Sequence, residues 1–356
     1  MDDNTRTAEE TQLNGDVSPV EESSLWKQFF QLRTLAGFIV SFAIIYFLVG
    51  RLNIDLAQTW GHISNVDPLR LSLGILIYYA AFPVRGYRWK LLLKNAGFDE
   101  CSEKGIPSSW TLSRFMAMGW FANCILPAKL GDAYRAYLAK RGMCVSFSKT
   151  MGTVLAERVI DVMVIFVMLL AATVAVLRYV QIDAVQNIMQ VGLALVVIMG
   201  VGLVVMARFG GFFVERLLPK RFHNIYQLFH EGTFHSFRSL PVVIILSVLI
   251  WLVEAARVYL VASSLGITLD TGLVVFVALT DALLVGIPLT PGGLGLVEAG
   301  LTAILMLASI STEQAASIAI LDRVITYWSV LVLGVGLHFW GLNPFRALRA
   351  RLYASD

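Results

Sequence analysis

Eight apolar stretches, separated by polar and mostly basic segments, set the plan of this chain. A membrane-spanning helix needs about 20 mostly apolar residues. Six stretches approach or exceed that length: 33–50, 69–88, 151–177, 188–207, 240–262 and 317–340. Two more, 110–127 and 272–310, are short or interrupted. The second breaks at Pro288-Leu289-Thr290-Pro291-Gly292-Gly293, where two prolines and two glycines disfavour a continuous helix. Backbone broken at membrane depth is tolerated only where protein or water covers it. Residues 1–24 are polar and acidic with a single Arg6, and read as a disordered tail. No basic segment runs directly into an apolar core there, so the first apolar stretch reads as an anchor and not as a cleaved signal.

Lysine and arginine placement orients these stretches, because cytoplasmic loops carry the basic excess. Lys90, Lys94 and Lys104 precede the 110–127 stretch, and Lys129, Arg135, Lys140, Arg141 and Lys149 follow it. Both of its ends therefore read as cytoplasmic, and the stretch is expected to dip in and return. The 208–239 loop, with Arg208, Arg216, Lys220, Arg221 and Arg238, and the tail with Arg346, Arg349 and Arg351 are basic as well. Only a re-entrant 272–310 then lets 317–340 deliver that tail to the cytoplasm. The fold expected is an all-α integral membrane protein with six spanning helices and two re-entrant hairpins. Its halves, about 33–177 and 188–340, have opposite orientation, an inverted-topology repeat. Loops on the outside then hold no Lys, and only Arg51, Arg70 and Arg178 near helix ends. A competing arrangement of eight full spans would place 128–149 outside, against its five basic residues. The chain divides into a disordered acidic tail (1–24), a polytopic domain (25–342) and a short basic tail (343–356) that reads as lying on anionic lipid. Both termini are expected in the cytoplasm, at the cell (inner) membrane.

The repeat also shows as a string. Pro127-Ala128-Lys129-Leu130-Gly131 is echoed by Pro291-Gly292-Gly293-Leu294-Gly295. Glu157-Arg158-Val159-Ile160 follows the first, and Asp322-Arg323-Val324-Ile325 follows the second. From Pro to Arg the count is 31 residues in one copy and 32 in the other. Duplicated halves with interrupted apolar segments at matching places point to a transporter whose site lies at the repeat interface.

Composition agrees with a membrane protein: 57% of the 356 residues are hydrophobic and only 15% charged, where a soluble domain is nearer 25% charged. Mean hydropathy is +0.71. Cys101, Cys124 and Cys144 have no metal or paired-thiol spacing and read as ordinary thiols. No HExxH, GxSxG or Cys/His cluster is present, so no catalytic or metal site is expected. His223, His230 and His235 fall in a basic, aromatic segment that reads as an interfacial amphipathic helix.

Charged residues inside apolar segments are costly and mark functional sites. Glu157 and Asp161 are four apart and share a helix face, while Arg158 lies about 100° round from Glu157. Asp322 and Arg323 occupy the equivalent place in the second half. Glu254 and Arg257, three apart, are expected to pair within their helix, either as part of a site or as a structural clamp. Lys129, Asp132 and Arg135 follow the first hairpin tip, and Asp281 and Glu298 flank the second. Arg offers a planar fork that matches phosphate in two places, so Arg158 and Arg323 are read as phosphate partners at the two approaches. The turn at Gly292 and Gly293 either presents N–H groups to an anion or is simply a tight turn. No Lys follows it in the nucleotide-binding position.

Four motifs taken in order carry a resemblance: Arg85-Gly86-Tyr87-Arg88-Trp89, Leu130-Gly131-Asp132-Ala133-Tyr134-Arg135, Glu157-Arg158-Val159-Ile160-Asp161, and Pro291 through Glu298. Over about 30–342 the chain resembles the lysylphosphatidylglycerol synthase transmembrane-region family, flippase-like membrane proteins. Fused members add a C-terminal synthase domain. This sequence stops at Asp356, so the resemblance implies the translocating half and not aminoacyl transfer. The function expected is a non-enzymatic lipid translocator, without cofactor, moving an anionic phospholipid or lipid-linked phosphate between leaflets. Arg158 and Arg323 would take the phosphate in turn, while Glu157, Asp161 and Asp322 balance charge. Arg88, Arg135, Lys129, Arg257, Glu254, Glu298, Gly292 and Gly293 complete the candidate substrate-binding set. Expected partners are membrane lipids, a lipid-modifying synthase among proteins, and no nucleic acid. The alternatives are an integral-membrane enzyme or enzyme partner in lipid or glycolipid modification, and a scaffold working through the loops at 89–109 and 208–239.

Overall fold

Backbone N–H and C=O groups placed in lipid must find partners within their own segment, which favours helices. In the computed structural model every regular element among the described residues is helical. Those residues are 32–52, 54–98, 105–126, 129–143, 145–176, 182–217 and 219–339. The acidic tail 1–24, the basic tail 343–356, Cys101, Cys144, and Pro127 and Ala128 of the first repeated string lie outside them.

The chain runs through α1 (Leu32–Arg51), α2 (Leu56–Ser64), α3 (Pro68–Asn95), α4 (Ser109–Ile125), α5 (Leu130–Met143) and α6 (Phe147–Val176). It continues through α7 (Ile182–Leu217), α8 (His223–His235), α9 (Leu240–Ser264), α10 (Thr271–Gly286), α11 (Leu296–Leu307), α12 (Thr312–Arg323) and α13 (Ser329–Phe339). Starts are set by side-chain caps, which satisfy otherwise orphaned N–H groups. Asp55 accepts from Ala57 and Gln58 at 2.8 and 3.1 Å, and Asp270 accepts from Gly272 at 2.8 Å. Asp67 caps α3, with Pro68 preset for the first turn.

Among the described residues, four helical runs are long and apolar enough to cross a membrane: Phe147–Val176, Met189–Phe212, His223–Ser264 and Thr312–Gly336. A fifth is added if α1 and α2, bent by 102° at their break, count as one. The protein is thus a multi-pass membrane protein. Over the described residues, five of the six long stretches read from the sequence fall in single helices, and the last, 317–340, runs through α12, a π-helical turn and α13. α3 has the length but also carries Arg70, Arg85, Arg88, Lys90 and Lys94, which lowers its hydropathy; Arg85 and Arg88 are buried against other helices. The 110–127 and 272–310 stretches each become part of a helical hairpin. In the first, α4 and α5 close where a Cβ on Gly131 would collide with the Gly119 carbonyl. In the second, α10 and α11 flank a short turn of helix at Pro291–Gly293.

α3 and α9 pack antiparallel through the centre. At one end Asp67 N–H donates to Ser264 O at 2.7 Å and Arg70 donates to Ser263 O at 2.7 Å. At the other, Ser239 Oγ donates to Asn95 Oδ1 at 2.9 Å and Asn95 donates to Ser236 O at 3.1 Å. Around this pair one arm of each hairpin leans on a distant part of the chain. Gly334 of α13 admits the Phe121 ring of α4, and Gly272 of α10 admits Ala175 of α6. The segment holding His223, His230 and His235 is helical, and it crosses α6 where Gly232 meets the Lys149 carbonyl and Gly152 the Phe229 carbonyl.

Candidate functional site

The interior of this apolar bundle is charged. Arg88 on α3 is buried and donates to Glu157 at 2.6 Å, to Asp161 at 2.5 and 3.0 Å, and to Ser247 at 2.7 Å. Glu157 and Asp161 thus share a face, as their spacing requires, but they turn it toward Arg88 and not toward Arg158. Arg135, also buried, lies 2.9 Å from Glu157 and 5.2 Å over the Trp89 ring. Arg158, on the neighbouring face of α6, forks onto Asp132 of α5 at 2.7 and 3.0 Å.

Similar ion pairs occur later in the chain. Arg257 on α9 meets Glu254 at 3.0 Å, Asp281 at 3.3 Å, and Asp322 of α12. Arg323 donates to Glu298 of α11 at 3.2 Å and to the Gly292 carbonyl at 2.6 Å. Glu298 in turn accepts from Gly295 N–H at 2.7 Å, fixing the start of α11. Arg88 therefore stands to Glu157 as Arg257 stands to Asp322, and Arg158 to Asp132 as Arg323 to Glu298. One offset along the chain relates Arg88 to Arg257, Tyr78 to Ser247, and Arg85 to Glu254. Arg88 binds Ser247 while Arg257 lies 5.9 Å over Tyr78. Arg85 and Glu254, separated by that same offset, pair with each other at 2.5 Å.

Between these two sets lies a cavity of about 130 Å³, roomy enough for several waters or a phosphate-sized group. Arg85, Lys129, Arg158, Arg257 and Arg323 line it, with Glu254 and Asp281 as its acids. Aromatic rings support the cations: Arg85 lies 4.7 Å over Trp120, and Arg323 lies 5.1 Å over Tyr327. Such contacts stabilise a desolvated guanidinium. Asp281 Oδ1, Thr290 Oγ1 and Trp251 Nε1 are buried without a protein partner, on residues that line the same space. A polar occupant would satisfy them.

The backbone at the cavity is shaped for close approach. Gly292 and Gly293 have φ of 56° and 73°, so both take the conformation open mainly to Gly. A side chain on Gly292 would strike the Tyr327 ring, 2.8 Å away. Tyr327 sits in a π-helical turn, Val324–Trp328, directly after Arg323. Such turns recur at functional sites because the extra residue re-aims side chains. Its hydroxyl donates to the Cys124 carbonyl at 2.8 Å, joining the start of the last helical run to the end of α4. Lys129, directly before α5, also has positive φ, 55°. Among the described residues it is the one cavity-lining cation without a carboxylate in ion-pair reach.

All thirteen candidates come together: Arg158, Arg323, Arg257, Glu254, Lys129, Gly292 and Gly293 on the cavity wall, and Arg88, Arg135, Glu157, Asp161, Asp322 and Glu298 as their neighbours or ion partners. Arg85, Tyr78, Trp120 and Trp251 were missed as site residues. Arg85 had a signal, standing three residues before Arg88 in an apolar helix. The aromatic residues had none, since Trp and Tyr are common in membrane chains.

Comparison with known proteins agrees with this membrane architecture. A UPF0104 membrane protein of Methanocaldococcus jannaschii is 34% identical over 218 residues, 60% of this chain and 91% of the relative. Another, of Methanothermobacter thermautotrophicus, is 27% identical over 288 residues, 75% of this chain and 82% of the relative. A protein of Haloferax volcanii named glycosyltransferase AglD is 24% identical over 324 residues, 80% of this chain but 51% of that relative. The family model described as the lysylphosphatidylglycerol synthase TM region matches residues 34–334, and the chain belongs to that family.

Proposed function

We propose that this protein is a lipid translocator, carrying the phosphate of an anionic lipid through the central cavity between leaflets without an enzymatic step. The observation that carries the reading is a cavity lined by five cations and two acids inside a bundle of apolar helices. Buried charge of this kind is expensive unless it is paired or serves a polar cargo. Phosphate is the matching cargo, because among the described residues Lys129 lines the cavity without a carboxylate in ion-pair reach and the neighbouring Arg158 and Arg323 present forks that fit it. Arg158 and Arg323 are already held by Asp132 and Glu298 in this state. Lys129 is therefore the first anchor, and the two arginines take over as their carboxylate partners release them.

The topology proposed with this function is six spanning helices, two re-entrant hairpins and inverted halves, with both termini in the cytoplasm at the cell membrane. Its support is the antiparallel packing of α3 on α9 together with the ion pairs that recur at matching positions. Equivalent residues facing each other, as Arg85 and Glu254 do, are what a two-fold axis through the α3–α9 contact would produce. A lipid-modifying synthase remains the partner we propose. The relative named as a glycosyltransferase matches over 51% of its length, so the named activity need not belong to the matched half.

The test is transport in proteoliposomes of phosphatidylcholine holding a trace of short-chain fluorescent phosphatidylglycerol, with no nucleotide or sugar donor. The wild-type protein should expose inner-leaflet probe to an impermeant quencher. Lys129→Ala removes a charged hydrogen bond worth about 1.5–3 kcal/mol, so transport should slow roughly tenfold to a hundredfold, while Lys129→Arg retains it. Exposure no faster than in protein-free vesicles would refute the proposal.

A further inference from the structure

A second space lies on the other side of Arg323. It is a groove of about 180 Å³ between α1, the second hairpin and α12, walled by Phe42, Ile45, Val49, Leu294 and Ile320. Its polar wall is confined to Thr302 and, at its end, Glu298 and Arg323. Arg323 also lines the charged cavity. One side chain therefore separates a greasy space from a charged one. It is held there by Glu298, by the Gly292 carbonyl and by the Tyr327 ring. The rim is open to the surroundings of the bundle, since Phe42, Ile320 and Trp328 are exposed.

An amphiphile has the same division: a charged head joined to a chain that water rejects and apolar surface accepts. We propose that this groove holds a hydrocarbon chain of the lipid whose phosphate occupies the cavity, with Arg323–Glu298 as the partition between chain and head group. This rests on the translocator reading for the identity of the lipid, while the groove's preference for hydrocarbon rests on its own lining. Admission is from the side, past α1 and α12. The chain stays in apolar surroundings throughout, and only the head group crosses the polar interior.

The test is photo-crosslinking in phosphatidylcholine nanodiscs, using phosphatidylglycerol with a diazirine on its acyl chain, followed by peptide mapping. Helix 189–212 is the internal reference, because it is almost wholly uncovered by protein and reports ordinary surrounding lipid. Adducts should be enriched on 38–49 and 312–328 over that reference. Ile320→Trp, at an exposed position that should spare folding, should lose most groove adducts and leave 189–212 unchanged. Phe42→Ala, which widens the groove, should keep or raise them. Groove adducts no denser than the reference, or insensitivity to Ile320→Trp, would each overturn the proposal. Enriched groove adducts without transport in the proteoliposomes would leave the groove standing and remove the translocator reading. Transport without enrichment would do the reverse.

Discussion

Arg88 is the side chain on which the buried charge of the first half depends. It is fully buried and compensates both Glu157 and Asp161. Removing one partner of a buried ion pair strands the other, at a cost of about 3–5 kcal/mol. Arg88→Met should therefore be strongly destabilising in thermal unfolding of the detergent-solubilised protein. Arg158→Met should cost much less stability, because that side chain is 32% exposed and Asp132 keeps Arg135 at 3.5 Å. Arg158→Met should instead slow transport. The two arginines thus separate a folding role from a transport role. A larger drop in unfolding temperature for Arg158→Met than for Arg88→Met would contradict that division.

The elements cross where small residues let backbones meet. α6 and α8 touch at Gly152 and Gly232, and a Cβ at either would strike a carbonyl of the other helix. A carbonyl cannot rotate away as a side chain can, so Gly152→Val should force α8 off α6. Overpacking of this kind costs about 1–3 kcal/mol, occasionally more, and should appear as faster proteolysis at 219–235. Unchanged protection of that segment would argue that the crossing is loose. The first hairpin yields a topological prediction. Its two outer ends lie near Ser109 and Ser146, each flanked by basic residues. Cysteine placed at either should react with an impermeant thiol reagent only from the cytoplasm. Labelling of the Ser146 position from outside would favour eight full spans and remove the inverted repeat.

At the scale of the whole molecule, α3 and α9 meet in antiparallel contact, and a charged cavity lies where Lys129 approaches Gly292 and Gly293. Much of this was legible in the sequence, because length and hydropathy locate helices in lipid and prolines and glycines locate their breaks. The Gly292–Gly293 turn, the Glu254–Arg257 pair and the shared face of Glu157 and Asp161 follow from spacing within one element. α2 was not read, since nine residues of mixed polarity fall below any spanning signal; its role, packing Thr59 against Ser317 of α12, is tertiary. The partners of Arg158 and Arg323 were not legible either. Asp132 and Glu298 lie on other helices, and helix packing alone decides which faces meet. The same holds for Arg85 and Glu254. The central claim, that the cavity binds a lipid phosphate, is tested most directly by an experimental density map of the protein in phosphatidylglycerol nanodiscs. The account predicts a phosphate peak within hydrogen-bond distance of Lys129 Nζ, between Arg158 and Arg323. A cavity holding only water, with Lys129 turned onto a carboxylate and lipid confined to the outer surface, would contradict it.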